Sequence, residues 1–458
     1  MRTSTGFYRR SLVIGSGFFT VALIEPLYSA YVPLMLSDHL KSSLAVGAVL
    51  SMLNLIAPLV IPFFSALSDR TITPIGRRMP YIVVFLPLAA LALAFVPIGA
   101  KIHVLALTAA LAAMNFFRHA ARGPVVSLMP DLVPAHQRSQ ANGVINMMGG
   151  MAAITATVVL APLITVQLNL PWLGLTGRIL PFWIIAVLIV ASTVFLYFNV
   201  REPMAARKDT TESTDTESTD TASTDTESKD SELTHSRSTE GRLDYTLVKT
   251  LRQVASQGRS GALPILAAVM LWFTGWKLVT PFITIYARDY LGAGEAAAGL
   301  SFGMLAISQT IAAVPSGLIA ARIGRRRTIR HALALLSVIG AAIFINHHLV
   351  DSVPGAGLYV FWGLLFCLGL SWATLITNCL PLLWDLGGSA SIGLFTGLYY
   401  FASQTALVAG PAIGGAIVQF TGFGGLFLGF SAVMVLARFF LNAYRQPPGD
   451  PQPFSPDR

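Results

Sequence analysis

The stretch SALSDRTITPIGRRMPY, residues 65–81, lies between two long apolar runs and holds four charged residues in a short polar segment. Its Thr-Pro-Gly composition favours a turn, and Arg77 and Arg78 follow as the next apolar run begins. Arginines in a short loop between apolar runs are typical of the cytoplasmic side of membrane proteins. The stretch therefore predicts a loop between two membrane-spanning helices, which either takes part in gating or only sets the orientation of the chain.

The composition indicates a polytopic membrane protein. Of 458 residues, 54% are hydrophobic and 12% are charged, and the mean hydropathy is +0.65. The net charge of +9 comes largely from basic residues in short loops. This distribution predicts that the basic residues orient the chain in the membrane, and we expect no nucleic-acid partner. Cys367 and Cys379 fall in one apolar segment, about 18 Å apart along a helix, so we expect no disulfide framework and no metal site.

Apolar runs of about 20 residues are long enough to cross a bilayer. The predicted spans are 11–36, 43–67, 80–100, 103–129, 139–167, 178–199, 263–288, 296–320, 328–347, 356–383, 391–418 and 422–442. Basic residues gather on one side of this count, which predicts that both termini face the cytoplasm. The predicted fold class is an all-α membrane protein of twelve transmembrane helices in two pseudo-symmetric six-helix bundles. The predicted boundaries are 1–200 for the first bundle, 201–261 for a linker, 262–446 for the second bundle and 447–458 for a cytoplasmic tail.

The predicted linker contains TESTDTESTDTASTDTESKD, residues 211–230, which has no large apolar side chain. Such a segment cannot bury enough surface to fold, so it predicts a disordered cytoplasmic tether. Phosphorylation of its Ser and Thr residues, or cation binding by its acids, remains an alternative interpretation.

An internal repeat relates the two halves of the chain. Four pairs of segments match in the same order: Glu25-Pro26 with Thr280-Pro281, Gly47 with Gly299, Gly76-Arg77-Arg78 with Gly324-Arg325-Arg326, and Asp131-Leu132 with Asp385-Leu386. Two homologous halves that point the same way predict a central cavity at their interface and alternating access by rocking of the halves.

Three stretches carry a resemblance to a known family. Residues 68–82, SDRTITPIGRRMPYI, resemble the loop between spans two and three of the major facilitator superfamily, in the variant of sucrose–proton symporters and related glycoside–cation symporters. Residues 115–150 and 272–292 are similar to the same group. Two departures are Val126, where plant sucrose symporters carry an arginine, and Glu25, at a position that is usually uncharged. The resemblance implies a transporter, but it does not identify the substrate of this chain.

Glu25 is the candidate for proton coupling because it lies deep in span one. A carboxylate at membrane depth needs a partner, a wet cavity or a proton, and desolvation favours its protonated form. Lys277, in the repeat-related span seven, is the expected counter-charge. A purely structural ion pair, or a carboxyl near the membrane interface, is the alternative interpretation.

Other polar and aromatic side chains in the spans are candidates for contact with a polyhydroxylated solute. They are Tyr28, Tyr31, Asn54, Asn115, Asn146, Trp272, Trp276, Thr280, Asn378, Tyr399, Tyr400 and Gln404. Hydrogen bonds between helices and aromatic packing are the alternative roles. Arg118, His119 and Arg122 near the end of span four predict an anion site, an inner gate or contacts with lipid headgroups.

The gating candidates are the charged and glycine residues of the repeated loops. They are Asp69, Arg70, Gly76, Arg77, Arg78, Asp131, Arg138, Arg325 and Asp385. The resemblance implies that Asp69 engages the start of span eleven near Ser391 in the outward-open state. Such contacts form in one state and break in the other.

The sequence thus predicts a secondary transporter of the inner membrane that couples a sugar or glycoside to protons. We expect a small polar solute, protons and membrane lipid as partners, a monomer and no cofactor. No phosphate-binding loop and no catalytic constellation occurs in the sequence, so neither ATP drive nor an enzyme is expected. Export of drugs or metabolites and a non-transporting receptor or scaffold are the alternatives.

Overall fold

The computed structural model describes residues 2–133, 138–166, 178–200, 202, 263–349, 356–384 and 392–444. Within these ranges, eleven helices are long and apolar enough to cross a membrane. The last of them, Gly397–Ala443, has 47 residues, about twice the length of one span. Gly422 lies near its middle at φ 73°, a left-handed value that divides it into spans eleven and twelve. The predicted twelve spans are therefore present.

The helix bounds follow the predicted spans closely. The first half comprises Arg2–His39, Ser43–Asn54 with Ile56–Arg70, Met79–Ile102, Val104–Leu132, Arg138–Ile154 continued by the π-helix Thr155–Val159 and the 3-10 helix Ala161–Thr165, and Leu180–Asn199. The second half comprises Leu263–Val279 continued by Thr280–Phe282, Ile283–Ile285 and Tyr286–Tyr290, then Glu295–Ile323, Arg325–Leu349, Ala356–Trp384 and Ile392–Ala443. Except for Glu202, the predicted linker lies outside the described residues, as does the predicted tail.

Span two differs from the prediction because it is interrupted. Its helix stops at Asn54 and resumes at Ile56, with Leu55 between them. Pro58 has no N–H for the carbonyl of Asn54, so the regular hydrogen bond is missing at this turn. The break lies halfway along the span, at the depth where the two halves separate.

The packing of the helices repeats between the halves. Span one packs on spans five and six, span three on spans four and six, and span two on span four. In the second half, span seven packs on the joined helix of spans eleven and twelve, span nine on ten and twelve, and span eight on ten. Between the halves, spans one and seven meet, flanked by spans two with eleven and five with eight. This arrangement confirms the predicted pseudo-symmetric fold.

The two ends of the bundle differ. One end, here named the Arg77 end, contains the loop at residues 71–78 and the non-helical positions 133, 202 and 324. The opposite end, here named the Asp38 end, contains the non-helical positions 40–42, 103 and 291–294. At the Asp38 end, Ser42 donates to Gln419 at 3.0 Å, and a Cβ on Gly47 would clash with the backbone of Pro411.

The contact between spans two and eleven ends halfway along the bundle. Asn54 Nδ2 donates to the carbonyl of Leu407 at 2.9 Å. Beyond that level, Tyr400 and Phe401 are 54% and 60% exposed, and a Cβ on Gly397 would meet nothing within 4 Å. Among the described residues, the halves are therefore closed at the Asp38 end and apart at the Arg77 end.

Candidate functional site

Glu25 lies in the middle of the membrane segment Ser11–His39, at the interface of the halves. Its side chain is 44% exposed although its neighbours Leu23, Ile24 and Leu27 are fully buried. A half-exposed carboxylate at the centre of a span faces a cavity that water can enter, because the cost in hydrocarbon would be several kcal/mol. The predicted central cavity therefore lies beside Glu25.

Two cations from different halves hold this carboxylate. Arg118 Nη1 of span four forms an ion pair with Glu25 Oε2, and Lys277 Nζ of span seven lies 4.0 Å from Glu25 Oε1. The pairing with Lys277 was expected from the sequence. Arg118 is the closer partner. The sequence predicted that Arg118 lies near the end of its helix, where it could contact lipid headgroups. Because it pairs with Glu25 in the middle of the membrane segment, headgroup contact is not its role here.

Arg118 is fixed by its own helix. Its side chain is 6% exposed, and Nη2 donates to Asn115 Oδ1 at 3.2 Å and to His119 Nε2 at 3.2 Å. Because a guanidinium only donates, Nε2 of His119 is an acceptor, and this ring is neutral with its proton on Nδ1. Arg122, one turn further toward the Arg77 end, is exposed, and because residues four apart share a helix face it lies on the face of span four that carries Arg118 toward Glu25. Arg122 therefore faces the cavity between the halves.

An aromatic wall adjoins Lys277. The rings of Trp276 and Trp372 stack with centroids 4.2 Å apart and planes 5° from parallel. Phe273 packs edge-on against Trp372 at 5.5 Å and against Tyr399 at 5.7 Å. Trp276 and Trp372 are only 8% and 3% exposed, so their faces are covered in this conformation, whereas Phe273 and Tyr399 are partly exposed. The partly exposed edge of this wall, formed by Phe273 and Tyr399, suits contact with a ring bearing polar substituents.

The remaining predicted contact residues divide by their surroundings. Tyr28 is buried beside the Glu25 cluster, and Gln404 is half-buried with its Oε1 unpaired among the described residues. Asn54 and Tyr31 instead join the halves, Tyr31 by packing on Gly299.

Three of the predicted contact residues pack within one half. Trp272 is fully buried in the core, Thr280 is 5% exposed, and Asn378 donates to the carbonyls of Ser316 and Thr374. In this conformation these three do not reach the cavity. The side chain of Asn146 lies outside the described residues.

Arg78 organises the Arg77 end of the first half. It pairs with Asp69, donates from Nε to Asp131 at 3.1 Å and from Nη1 to Ser68 Oγ at 2.6 Å, and is buried. Arg77 lies 3.4 Å from Asp131. These predicted gating residues therefore form one ion-pair network that links spans two, three and four.

Glu202, which sequence reasoning missed, caps span three. Its carboxylate accepts from the backbone N–H groups of Arg77 at 2.6 Å, Arg78 at 3.0 Å and Met79 at 2.8 Å. A carboxylate at a helix N-terminus satisfies unpaired donors and interacts favourably with the peptide dipoles. Gly76 makes room for it, since its φ is +115° and a Cβ there would lie 2.6 Å from the Glu202 carboxyl.

The second half uses carbonyls where the first uses carboxylates. Arg326, the repeat partner of Arg78, donates from Nη2 to the carbonyls of Leu441 at 3.1 Å and Tyr444 at 2.7 Å, at the end of span twelve. Arg70 and Arg325 are exposed. Asp385, Ser391 and the side chain of Arg138 lie outside the described residues, so their predicted gating roles stay predictions.

A charged network at the Asp38 end was not predicted. Asp38 accepts from Arg178 Nη1 at 2.5 Å and from Arg288 Nη1 at 2.7 Å, and Arg178 also pairs with Glu295 through both Nε and Nη2. Burial alone would lower the pKa of Arg178, but its hydrogen bonds to Glu295 and Asp38 raise that pKa, so Arg178 stays charged. Because Asp38 and Arg178 belong to one half and Arg288 and Glu295 to the other, the network holds this end closed.

Comparison with known proteins agrees with this geometry. The sequence profile of the Major Facilitator Superfamily matches residues 14–272 and 265–457. The chain therefore belongs to the Major Facilitator Superfamily, and it is a multi-pass secondary transporter, not an enzyme. The comparison with curated proteins found no match.

Solved structures of transporters share the fold. The nucleoside transporter NupG has a TM-score of 0.65 and 14% identity, with 95% of this chain and 99% of that chain covered. The inward-open xylose transporter XylE from E. coli has a TM-score of 0.65 and 14% identity, covering 96% and 97%. An inward-facing bacterial homologue of the iron transporter ferroportin has a TM-score of 0.64 and 14% identity, covering 95% and 98%. At this identity the likeness concerns the fold alone.

Proposed function

We propose that this transporter imports a polar, ring-containing solute of the sugar or glycoside class together with protons. The observation that carries the proposal is Glu25, one half-exposed carboxylate at mid-membrane that is shared between Arg118 of one half and Lys277 of the other. Such a group can exchange a cation partner for a proton when the halves move, because removing a partner changes its ionisation.

The aromatic wall supports the proposed solute class. Phe273, at the partly exposed edge of the wall, lies four residues before Lys277 and therefore on the same face of span seven, so a solute that touches this edge is also within reach of the charged cluster. Sugar rings stack on aromatic faces through their apolar side and hydrogen-bond through their rim. Two structural relatives are named for nucleoside and D-xylose–proton transport, which agrees with a ring-bearing solute, whereas a third is named for iron.

The two charged networks support alternating access. The Asp38 end is held by ion pairs between the halves, whereas the Arg78 network lies within the first half at the separated end. We propose that the Arg77 end faces the cytoplasm of a bacterial inner membrane, as the excess of arginine there indicates. The conformation described is then inward-open.

Uptake in proteoliposomes tests the proposal. With an imposed proton gradient, the unaltered protein should accumulate a labelled sugar or glycoside from a panel, and its addition to cells should alkalinise the medium. Glu25→Gln should keep solute exchange without a gradient but lose uphill uptake, while Glu25→Asp should retain part of it. Uphill uptake by Glu25→Gln with unchanged pH dependence would refute proton coupling through Glu25.

The same assay separates the alternatives. An exporter would lower accumulation in cells that carry the protein, and a receptor or scaffold would move no solute. Deleting residues 209–240 adds a second control, because a scaffold that acts through the acidic segment would lose its function while a transporter would keep most of its flux.

A further inference from the structure

The cavity between the halves carries more positive than negative charge. Arg118, Arg122 and Lys277 all interact electrostatically with Glu25, the one acidic group that these three cations share. Arg118 and Lys277 are close enough to count as its ion-pair partners. Arg122 has no carboxylate within 4 Å among the described residues. One carboxylate therefore serves three cations.

No other acidic residue of the bundles is placed to correct this imbalance. Those that the structure describes lie at the two ends, where they are engaged by arginines or a helix terminus: Asp38, Asp289 and Glu295 at the Asp38 end, and Asp69, Asp131 and Glu202 at the Arg77 end. The sequence of the two bundles adds only Asp351 and Asp385, both between predicted spans. The missing negative charge must therefore come from outside the bundles.

Arg122 is the cation that a solute would meet first. It lies one turn beyond Arg118 toward the open Arg77 end, on the same face of span four, and it is exposed. An unpaired charge in the middle of a membrane protein is costly and marks a pathway or binding site. A guanidinium binds carboxylates and phosphates through two parallel hydrogen bonds, which fits this position to an anion.

The cluster is also short of hydrogen-bond acceptors. Arg118 Nε and His119 Nδ1 are buried and have no partner among the described residues. Both atoms are donors, given the tautomer of His119 that Arg118 imposes. An additional acceptor beside Glu25 would satisfy this deficit, whereas another donor would worsen it.

We infer that the transported solute is an organic anion, a sugar acid or a glycoside with a carboxylate. The anionic group lies beside Arg122 and Lys277, the two cations that the close Arg118–Glu25 pair engages least, and the ring lies toward Phe273 and Tyr399, the partly exposed edge of the aromatic wall. The ring part of this inference rests on the proposed function, whereas the charge part rests only on the cations.

Matched ligands test the charge separately from the ring. The purified full chain in detergent is titrated with 4-nitrophenyl β-D-glucuronide and 4-nitrophenyl β-D-glucoside, which differ by a carboxylate, and with benzoate and benzamide, which lack a sugar. The midpoint of thermal unfolding reports binding. The glucuronide should bind about tenfold or more tightly than the glucoside, since a charge-assisted contact supplies that difference.

Variants assign the effect to the cavity. Arg122→Gln and Lys277→Gln should each remove most of the preference for the anion, while Arg327→Gln, an exposed arginine at the Arg77 end, should keep it. A glucoside that binds as well as the glucuronide would overturn the inference and leave the sugar proposal standing. An anion preference in the benzoate pair alone would uphold the charge inference and refute the sugar class. A preference that persists in both cavity variants, or the absence of any shift with either anion, would overturn it.

Discussion

Arg178, ahead of span six, and Glu295, at the start of span eight, form a two-pronged ion pair between the halves of the transporter. Nε of Arg178 lies 2.6 Å from Oε2 of Glu295, and Nη2 pairs with the other oxygen. The two side chains are 31% and 27% exposed, so the pair is partly withdrawn from water. Arg178 also donates to Asp38 of the first half, so one guanidinium contacts carboxylates of both halves at the closed end.

We predict that Arg178→Gln shifts the protein toward opening at the Asp38 end. Losing a partly buried pair costs about 1–3 kcal/mol and leaves Glu295 without its partner, which favours hydration of this end. In a variant with Ser42→Cys and without the native cysteines, a membrane-impermeant thiol reagent should label Cys at position 42 several times faster.

The charge swap is the control for this prediction. The double variant Arg178→Glu with Glu295→Arg should restore slow labelling in part, although Asp38 would then oppose the new glutamate. Equal labelling rates with and without Arg178→Gln would show that the ion pair does not hold this end.

Asp69→Ala should slow transport while leaving insertion in the membrane largely intact. The carboxylate pairs with Arg78 at the Arg77 end and is 57% exposed, so its loss removes a contact of the network without opening a cavity. Initial uptake rates normalised to the amount of protein in the membrane measure the effect. Arg327→Gln is the control, because Arg327 is an exposed arginine at the same end with no ion pair among the described residues, and it should transport normally. Normal flux in Asp69→Ala would count against a gating role.

Gly76→Ala should destabilise the protein more than Gly324→Ala. Both glycines have positive φ, at 115° and 89°, so both substitutions introduce backbone strain of about 1–2 kcal/mol. A Cβ at Gly76 would also press on the Glu202 carboxyl, whereas one at Gly324 would meet nothing within 4 Å. Thermal unfolding in detergent should therefore show the larger decrease for Gly76→Ala. Equal decreases would mean that the Glu202 side chain moves aside and still caps the start of span three.

Trp372→Ala should weaken solute binding more than Trp372→Phe. Stacked aromatic pairs contribute about 0.5–1.5 kcal/mol beyond their buried area, and Trp276 would lose its stacked neighbour. The Michaelis constant should rise several-fold in the alanine variant, and the phenylalanine variant should lie between. A Michaelis constant that is unchanged in the alanine variant would exclude the aromatic wall from the binding site.

The spans, the repeat and the pairing of Glu25 with Lys277 could be predicted because each follows from apolar length or from charge at membrane depth. The importance of Arg118 could not. Its helix continues to Leu132, 14 residues further, so at 1.5 Å per residue Arg118 lies about 21 Å from the helix end. The point at which an apolar run ends in the sequence does not reveal this depth. Charged residues that line the cavity interrupt the run well before the helix itself ends.

The network at the Asp38 end and the Glu202 cap were missed for a different reason. Asp38, Arg178, Arg288 and Glu295 are far apart in sequence, and only the meeting of the halves brings them together. Glu202 falls at the start of a polar segment, where an acidic residue gives no signal of a helix cap 124 residues earlier. The scarcity of acids was the available clue: with four in residues 1–200, each is expected to have a partner.

The unequal sharing of Glu25 has an electrical consequence. Its carboxylate stays with Arg118 of its own half, while Lys277 is held only at 4.0 Å and travels with the other half. If the halves rock as proposed, we expect this cation to change its depth relative to a neutral pair, which would constitute a gating current. A full unit charge crossing 100 mV exchanges about 2.3 kcal/mol with the field. We therefore expect the membrane voltage to bias the rocking step of the empty carrier.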